Sequence, residues 1–181
     1  MPFDPERRDR HSLRLPHYDY GAAGGYFVTI VAANRLCLFT APHPQSIVER
    51  AWLGIPRSFP HATLDAWVVM PNHLHGIVVL TRRTSAAGFA GSLGAIVGNF
   101  KSITARRLNR IRRTPEVPVW QRNYYERVIR NENELERIRA YIAANPLRWA
   151  LDRENPERVS TADEWTTDED QWFTSSGLSN P

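Results

Sequence analysis

The order of apolar and polar positions divides the chain into a short series of elements. Residues 26–32 (YFVTIVA) are β-branched and aromatic and follow a glycine-rich stretch, which predicts a strand. Residues 45–53 (QSIVERAWL) carry apolar side chains at helical spacing after prolines, which predicts a helix. Two strands follow at 63–70 (TLDAWVVM) and 73–80 (HLHGIVVL), joined at Pro71-Asn72, a favourable turn pair. After a polar loop over 81–90, residues 92–113 become helical, with Leu93, Ile96, Val97, Phe100, Ile103 and Leu108 marking one face. The two prolines in 114–118 break that helix. Residues 119–129 (VWQRNYYERVI) predict a fourth strand, with Asn123 as the place for a bulge. Asn131 caps a last helix with Glu132 and Glu134 in its first turn, and Pro146 is expected to end it.

Strand, helix, strand, strand, helix, strand is the α+β, ferredoxin-like βαββαβ order, an antiparallel four-stranded sheet with helices on one face. The extra C-terminal helix stands outside that repeat. The expected organisation is a basic arm over 1–20, a folded domain over 21–150 and an irregular tail over 151–181. No internal repeat is visible.

Composition narrows the chemistry. The single cysteine, Cys37, excludes an internal disulfide and any cysteine-based zinc site. The start is charged and has no apolar core of a secretory signal, and no apolar run is long enough to span a bilayer, so the expectation is a soluble, cytoplasmic protein without a membrane partner. The formal charge is +4, and of 23 basic residues only Lys101 is a lysine. Arginine forks suit phosphate, although a GC-rich genome gives the same bias without any function.

The pair His73-Leu74-His75 lies in a predicted strand, so both imidazoles project from one face and Leu74 from the other. This is a metal- or phosphate-facing geometry, or two histidines on a solvated sheet face. Two imidazoles leave a metal short of ligands. In the last helix Tyr141 and Asn145 are four apart and share a face. Asn145 can offer a carbonyl oxygen to a metal beside the Tyr141 hydroxyl, and a nearby cation would favour the phenolate. Alternatively, Tyr141 packs on the sheet and Asn145 caps the helix.

Ordered motifs connect these pieces. Tyr18-Asp19-Tyr20 precedes Tyr26-Phe27-Val28-Thr29-Ile30; the run MPNHLHGIVV covers 70–79; WQRNYY covers 120–125, with Val128-Ile129-Arg130-Asn131 after it; and YIAANP covers 141–146. In these motifs the chain, from about residue 10 to 150, resembles the single-tyrosine HUH transposases of bacterial insertion sequences, and within them the REP-associated tyrosine transposases. The resemblance implies that His73 and His75 are metal ligands and Tyr141 the nucleophile, ahead of its competitors Tyr124 and Tyr125. Asn145 matches a polar position that is often glutamine in the insertion-sequence relatives, and an amide oxygen serves in either case. The implied cofactor is Mg2+ or Mn2+. The implied reaction cleaves and rejoins single-stranded DNA near palindromic hairpin repeats through a 5′-phosphotyrosine link. The protein would act as a monomer or a homodimer.

Candidate DNA contacts are Arg7, Arg8, Arg10 and Arg14 in the arm, then Lys101, Arg106, Arg107, Arg110, Arg112 and Arg113 along the second long helix. Arg122 and Arg127, interleaved with Trp120, Tyr124 and Tyr125, extend the set toward base stacking. Two other readings stand beside this one. A non-catalytic, domesticated DNA-binding protein would recognise structured repeats without cutting them. A metal-dependent phosphoesterase would need Asp65 and Glu126 beside the histidines.

Overall fold

In the computed structural model the described residues are 22–81, 91–152, 155–156 and 158. The chain divides into two compact units, Met1–Trp149 and Ala150–Pro181. Every element below belongs to the first. In the second, the amide of Asn155 donates to the carbonyl of Asp152 (3.0 Å), and Arg158 to Asn155 (3.1 Å). The proposed arm over 1–20 and most of the proposed tail lie outside the described residues.

The elements are β1 (Gly24–Val31), α1 (Pro42–Leu53), the single turn α2 (Ile55–Ser58), β2 (Ala62–Val69), β3 (His73–Leu80), α3 (Leu93–Arg112), β4 (Tyr125–Ile129) and α4 (Glu132–Arg148). The sheet order is β2-β3-β1-β4 with every neighbour antiparallel, which is the ferredoxin-like arrangement. The β2–β3 hairpin closes at Pro71-Asn72, where the amide of Met70 donates to the carbonyl of His73 (2.8 Å).

Alternation sorts the sheet into two faces. Tyr26, Val28, Ile30, Leu74, Val78 and Leu80 point one way and form a single core with Trp52 of α1 and Leu93, Ile96, Phe100 and Leu108 of α3. Gly76 lies on this face because the Trp52 indole crosses it: a Cβ there would sit 2.3 Å from Trp52 Cζ2. Phe27, Thr29, Val31, His73, His75 and Ile77 point the other way, as the cross-strand partners Thr29–His75 and Val31–His73 require. That second face is covered by α4, whose buried side chains are Glu134, Ile138, Ile142 and Asn145.

Both long helices start at side-chain caps: Ser92 Oγ accepts from the amide of Ala95, and Asn131 Oδ1 from that of Glu134. Two expectations are corrected. The fourth strand is Tyr125–Ile129 and not 119–129. Trp120 turns into the core, where its Nε1 donates to Thr104 Oγ1 (2.8 Å), and Lys101 Nζ gathers the carbonyls of Gln121, Arg122 and Asn123. Trp120 keeps one isolated antiparallel bridge to Ala32, and the ammonium, not a strand ladder, gathers the carbonyls that follow it. Pro146 does not end α4; the helix runs through it to Arg148. Proline removes one amide donor, but the packing of Ile138, Ile142 and Asn145 against the sheet carries the helix on.

Candidate active site

The histidine pair opens β3 at one end of the sheet. The two Nε2 atoms face each other at 3.0 Å, and both residues are buried. Each opposite ring nitrogen has its own partner. Asn72, almost fully buried, donates from Nδ2 to the carbonyl of Arg35 (3.4 Å), which turns its Oδ1 toward His73 Nδ1 at 2.6 Å. An amide oxygen only accepts, so His73 carries its proton on Nδ1 and presents a lone pair on Nε2. His75 Nδ1 lies 2.8 Å from the Thr29 hydroxyl, and Phe27 stacks along its ring at 5.5 Å.

Helix α4 brings the second half of the site. The Tyr141 hydroxyl is 3.4 Å from His75 Nε2, and its ring meets Phe27 edge-on at 6.1 Å. One turn on, Asn145 is buried and its side chain hydrogen-bonds His73. Because α4 continues past Pro146, Trp149 also approaches the His73 ring, at 6.3 Å between centroids.

Burial sets the protonation of the pair. It pushes His73 down to about 4, helped by the positive charge of Arg35 and opposed by the Asn145 hydrogen bond. It holds His75 well below the usual imidazole range, with His73 adding to the effect. At neutral pH both rings are neutral and hold lone pairs, the form a metal ion takes.

These contacts decide whether the donor set suits a divalent cation. Two neutral imidazole nitrogens 3.0 Å apart are close enough for one ion, since typical bonds of about 2.1 Å would place them at roughly a right angle. The amide of Asn145 is beside them, and both Nδ1 atoms have the outer hydrogen bonds that orient metal-binding histidines. Among the described residues no third histidine, cysteine or carboxylate joins the pair. The residues fit an ion bound by two imidazoles and one amide oxygen.

The structure therefore brings His73, His75, Tyr141 and Asn145 to one place, and separates other candidates from it. Arg106, Arg107 and Arg110 are exposed on α3, across the sheet from the histidines. Arg106, Arg110 and Arg113 line an open groove of about 520 Å³ with Asn109 and Glu116. Arg122 is exposed in the loop before β4. Lys101 has its ammonium on three carbonyls and over the Tyr124 ring (5.3 Å). Trp120 is a core residue and cannot stack on a base. Tyr125 shares the site's face but stands on β4, across β1 from His75. Arg7, Arg8, Arg10 and Arg14 lie outside the described residues.

The two carboxylates required by the phosphoesterase reading are not beside the histidines. Asp65 is held by Arg139 at 2.6 Å, and Glu126 pairs with Val28 and so points to the opposite face. Residues that sequence reasoning missed are Thr29, Asn72, Phe27, Trp149 and Arg35. Asn72 was visible as a turn residue, but its second task depends on the Arg35 carbonyl, far away in the chain.

No protein-family model matches the chain. An uncharacterized protein of Haemophilus influenzae is 36% identical over 169 residues, covering 80% of this chain and 92% of that one. At that identity and coverage the chain belongs to the same family as the Haemophilus protein. Among solved structures, a REP-associated tyrosine transposase bound to a REP hairpin matches with a TM-score of 0.60 at 22% identity, over 75% of this chain and 74% of that one. The fold is thus that of the REP-associated tyrosine transposases, whose motifs the sequence resembles.

Proposed function

We propose that the chain is a metal-dependent tyrosine transposase that cleaves and rejoins single-stranded DNA beside hairpin repeats. One observation carries the reading: the Tyr141 hydroxyl lies 3.4 Å from His75 Nε2, which in turn faces His73 Nε2 at 3.0 Å. The fold shared with a transposase that binds a REP hairpin supports DNA as the substrate.

His73, His75 and Asn145 would hold Mg2+ or Mn2+, and the bound ion would supply Lewis-acid polarisation of a non-bridging phosphate oxygen. Tyr141 Oη attacks phosphorus; the Oη–P bond forms as the P–O3′ bond breaks. The phenolic proton passes to solvent, and the leaving 3′ oxygen takes up a proton as a free hydroxyl. Attack by another 3′-hydroxyl reverses the exchange and joins strands, with no net change in phosphoester bonds. Phe27 and the buried sheet face hold the Tyr141 ring over the pair, which limits the phenol to a narrow approach. Tyr141 reaches His75 of its own chain, which supports action as a monomer.

Incubation of the protein with labelled single-stranded DNA carrying a repeat hairpin, in Mn2+, tests the reading. A covalent protein–DNA band is expected with the native chain and none with Tyr141→Phe. An adduct that persists in Tyr141→Phe overturns the nucleophile. Hairpin binding without any adduct identifies a domesticated DNA-binding protein.

A further inference from the structure

We infer that Asp65 and Arg139 form a positioning pair that sets where Tyr141 stands over the histidines. The inference rests on the proposed role of Tyr141 and adds the device that places it.

Helix α4 leaves β4 at one edge of the sheet and crosses the site's face toward β2 at the other. It is pinned at both edges. At its start Glu134 Oε1 accepts from Arg127 Nε of β4 at 2.6 Å, and Glu134 Oε2 accepts from the amide of Arg130 at 2.9 Å. Toward β2, Arg139 presents its fork to Asp65: Nε donates to Oδ1 at 2.9 Å and Nη2 to Oδ2 at 2.6 Å. Tyr141 follows two residues later.

The Asp65 carboxylate is itself fixed by an irregularity in its strand. The β2–β3 register runs Leu64–Val78 and then Trp67–Gly76, so Asp65 and Ala66 together oppose Ile77. Such a bulge re-aims a side chain out of the regular alternation. The carboxylate also accepts from the amide of Ala66 at 2.6 Å. Ile138 and Ile142 add apolar packing on the sheet, and Asn145 is buried beside His73 one turn beyond Tyr141. Between these contacts the planar two-bond fork adds a directional constraint on rotation and sliding. Glu136 on the next turn back bonds the other arm of Arg139 and keeps it extended.

The pair is partly exposed, with side-chain accessibilities of 37% for Arg139 and 24% for Asp65. An ion pair of that kind adds little to stability, whereas a displaced nucleophile is costly to rate. Placement and stability can therefore be separated by Asp65→Asn, which removes the charge, and Arg139→Lys, which keeps the charge but loses the fork. Three quantities decide the matter: single-turnover adduct formation at saturating hairpin DNA, the Kd for that DNA, and the nuclear Overhauser effect between the Tyr141 and His75 rings in the metal-free protein. In both variants the adduct rate should fall roughly ten- to a hundredfold. Kd and Tm should stay close to native, and the Overhauser effect between the two rings should disappear. A native adduct rate or a persisting Overhauser effect in both variants overturns the inference. If the native chain forms no adduct at all, the role of Tyr141 fails, and the Overhauser effect still decides whether the pair places it.

Discussion

Burial favours the neutral form of the two imidazoles that face each other at 3.0 Å, and the consequence is measurable without DNA. His73 is pushed down to about 4 from an ordinary value of 6.5. Above pH 6.5 neither the folded nor the unfolded chain protonates it. Between the two values the unfolded chain binds a proton that the folded chain refuses, so stability falls as the pH is lowered through this window and levels off below it. The loss from this group is about 3 kcal/mol, and His75 adds in the same direction. Urea midpoints at pH 4.5 and 7, without added cation, should show the drop, and His73→Asn should reduce it. Thr29 offers a second test at this scale. Its hydroxyl lies 2.8 Å from His75 Nδ1 and either donates or accepts, so Thr29→Val should weaken Mn2+ binding by about ten- to a hundredfold, as loss of an outer partner does. Thr29→Ser should leave calorimetric affinity near native.

Among the elements, β3 carries the site on one side and core packing on the other, so a change on the far side should disturb it. A Cβ at Gly76 meets the fully buried Trp52 ring at 2.3 Å. Gly76→Ala should cost about 1–3 kcal/mol of stability, read as a lowered denaturation midpoint, with partial recovery when Trp52→Leu is added. The elements that were legible in the sequence are those specified locally. The β2–β3 hairpin announces itself by two apolar runs around Pro71-Asn72, and the α3 and α4 starts by Ser92 and Asn131. The errors fall where distant residues decide. Nothing within 119–124 reveals that Thr104 takes the Trp120 indole or that Lys101 draws three carbonyls. Pro146 reads as a stop, yet tertiary packing carries α4 beyond it. The candidate site divides in the same way. Alternation placed both histidines on one face and helix spacing joined Tyr141 to Asn145, but the meeting of strand and helix is a long-range fact that only ordered motifs hinted at.

At the scale of the molecule, the arginines of α3 and the chemistry occupy different sides. The exposed arginines of α3 lie over the core face, while Tyr141 and the histidines lie on the other. If those arginines hold phosphates, hairpin binding should weaken steeply with salt. Arg106→Ala and Arg110→Ala should each lower the slope of log K against log salt by about 1, in anisotropy titrations with a labelled hairpin. Unchanged slopes would remove α3 from the interface.

The two-sided sheet has a mechanical consequence for any DNA that touches both sides. Duplex DNA is stiff over about 150 base pairs, so bending a continuous helix around the end of one small sheet would cost on the order of several kcal/mol. If a strand is anchored on α3 and cut at Tyr141 as proposed, a flexible joint where pairing stops would let it turn at least cost. Stem position would then help to dictate the cut, through the distance from the stem to its first unpaired nucleotides.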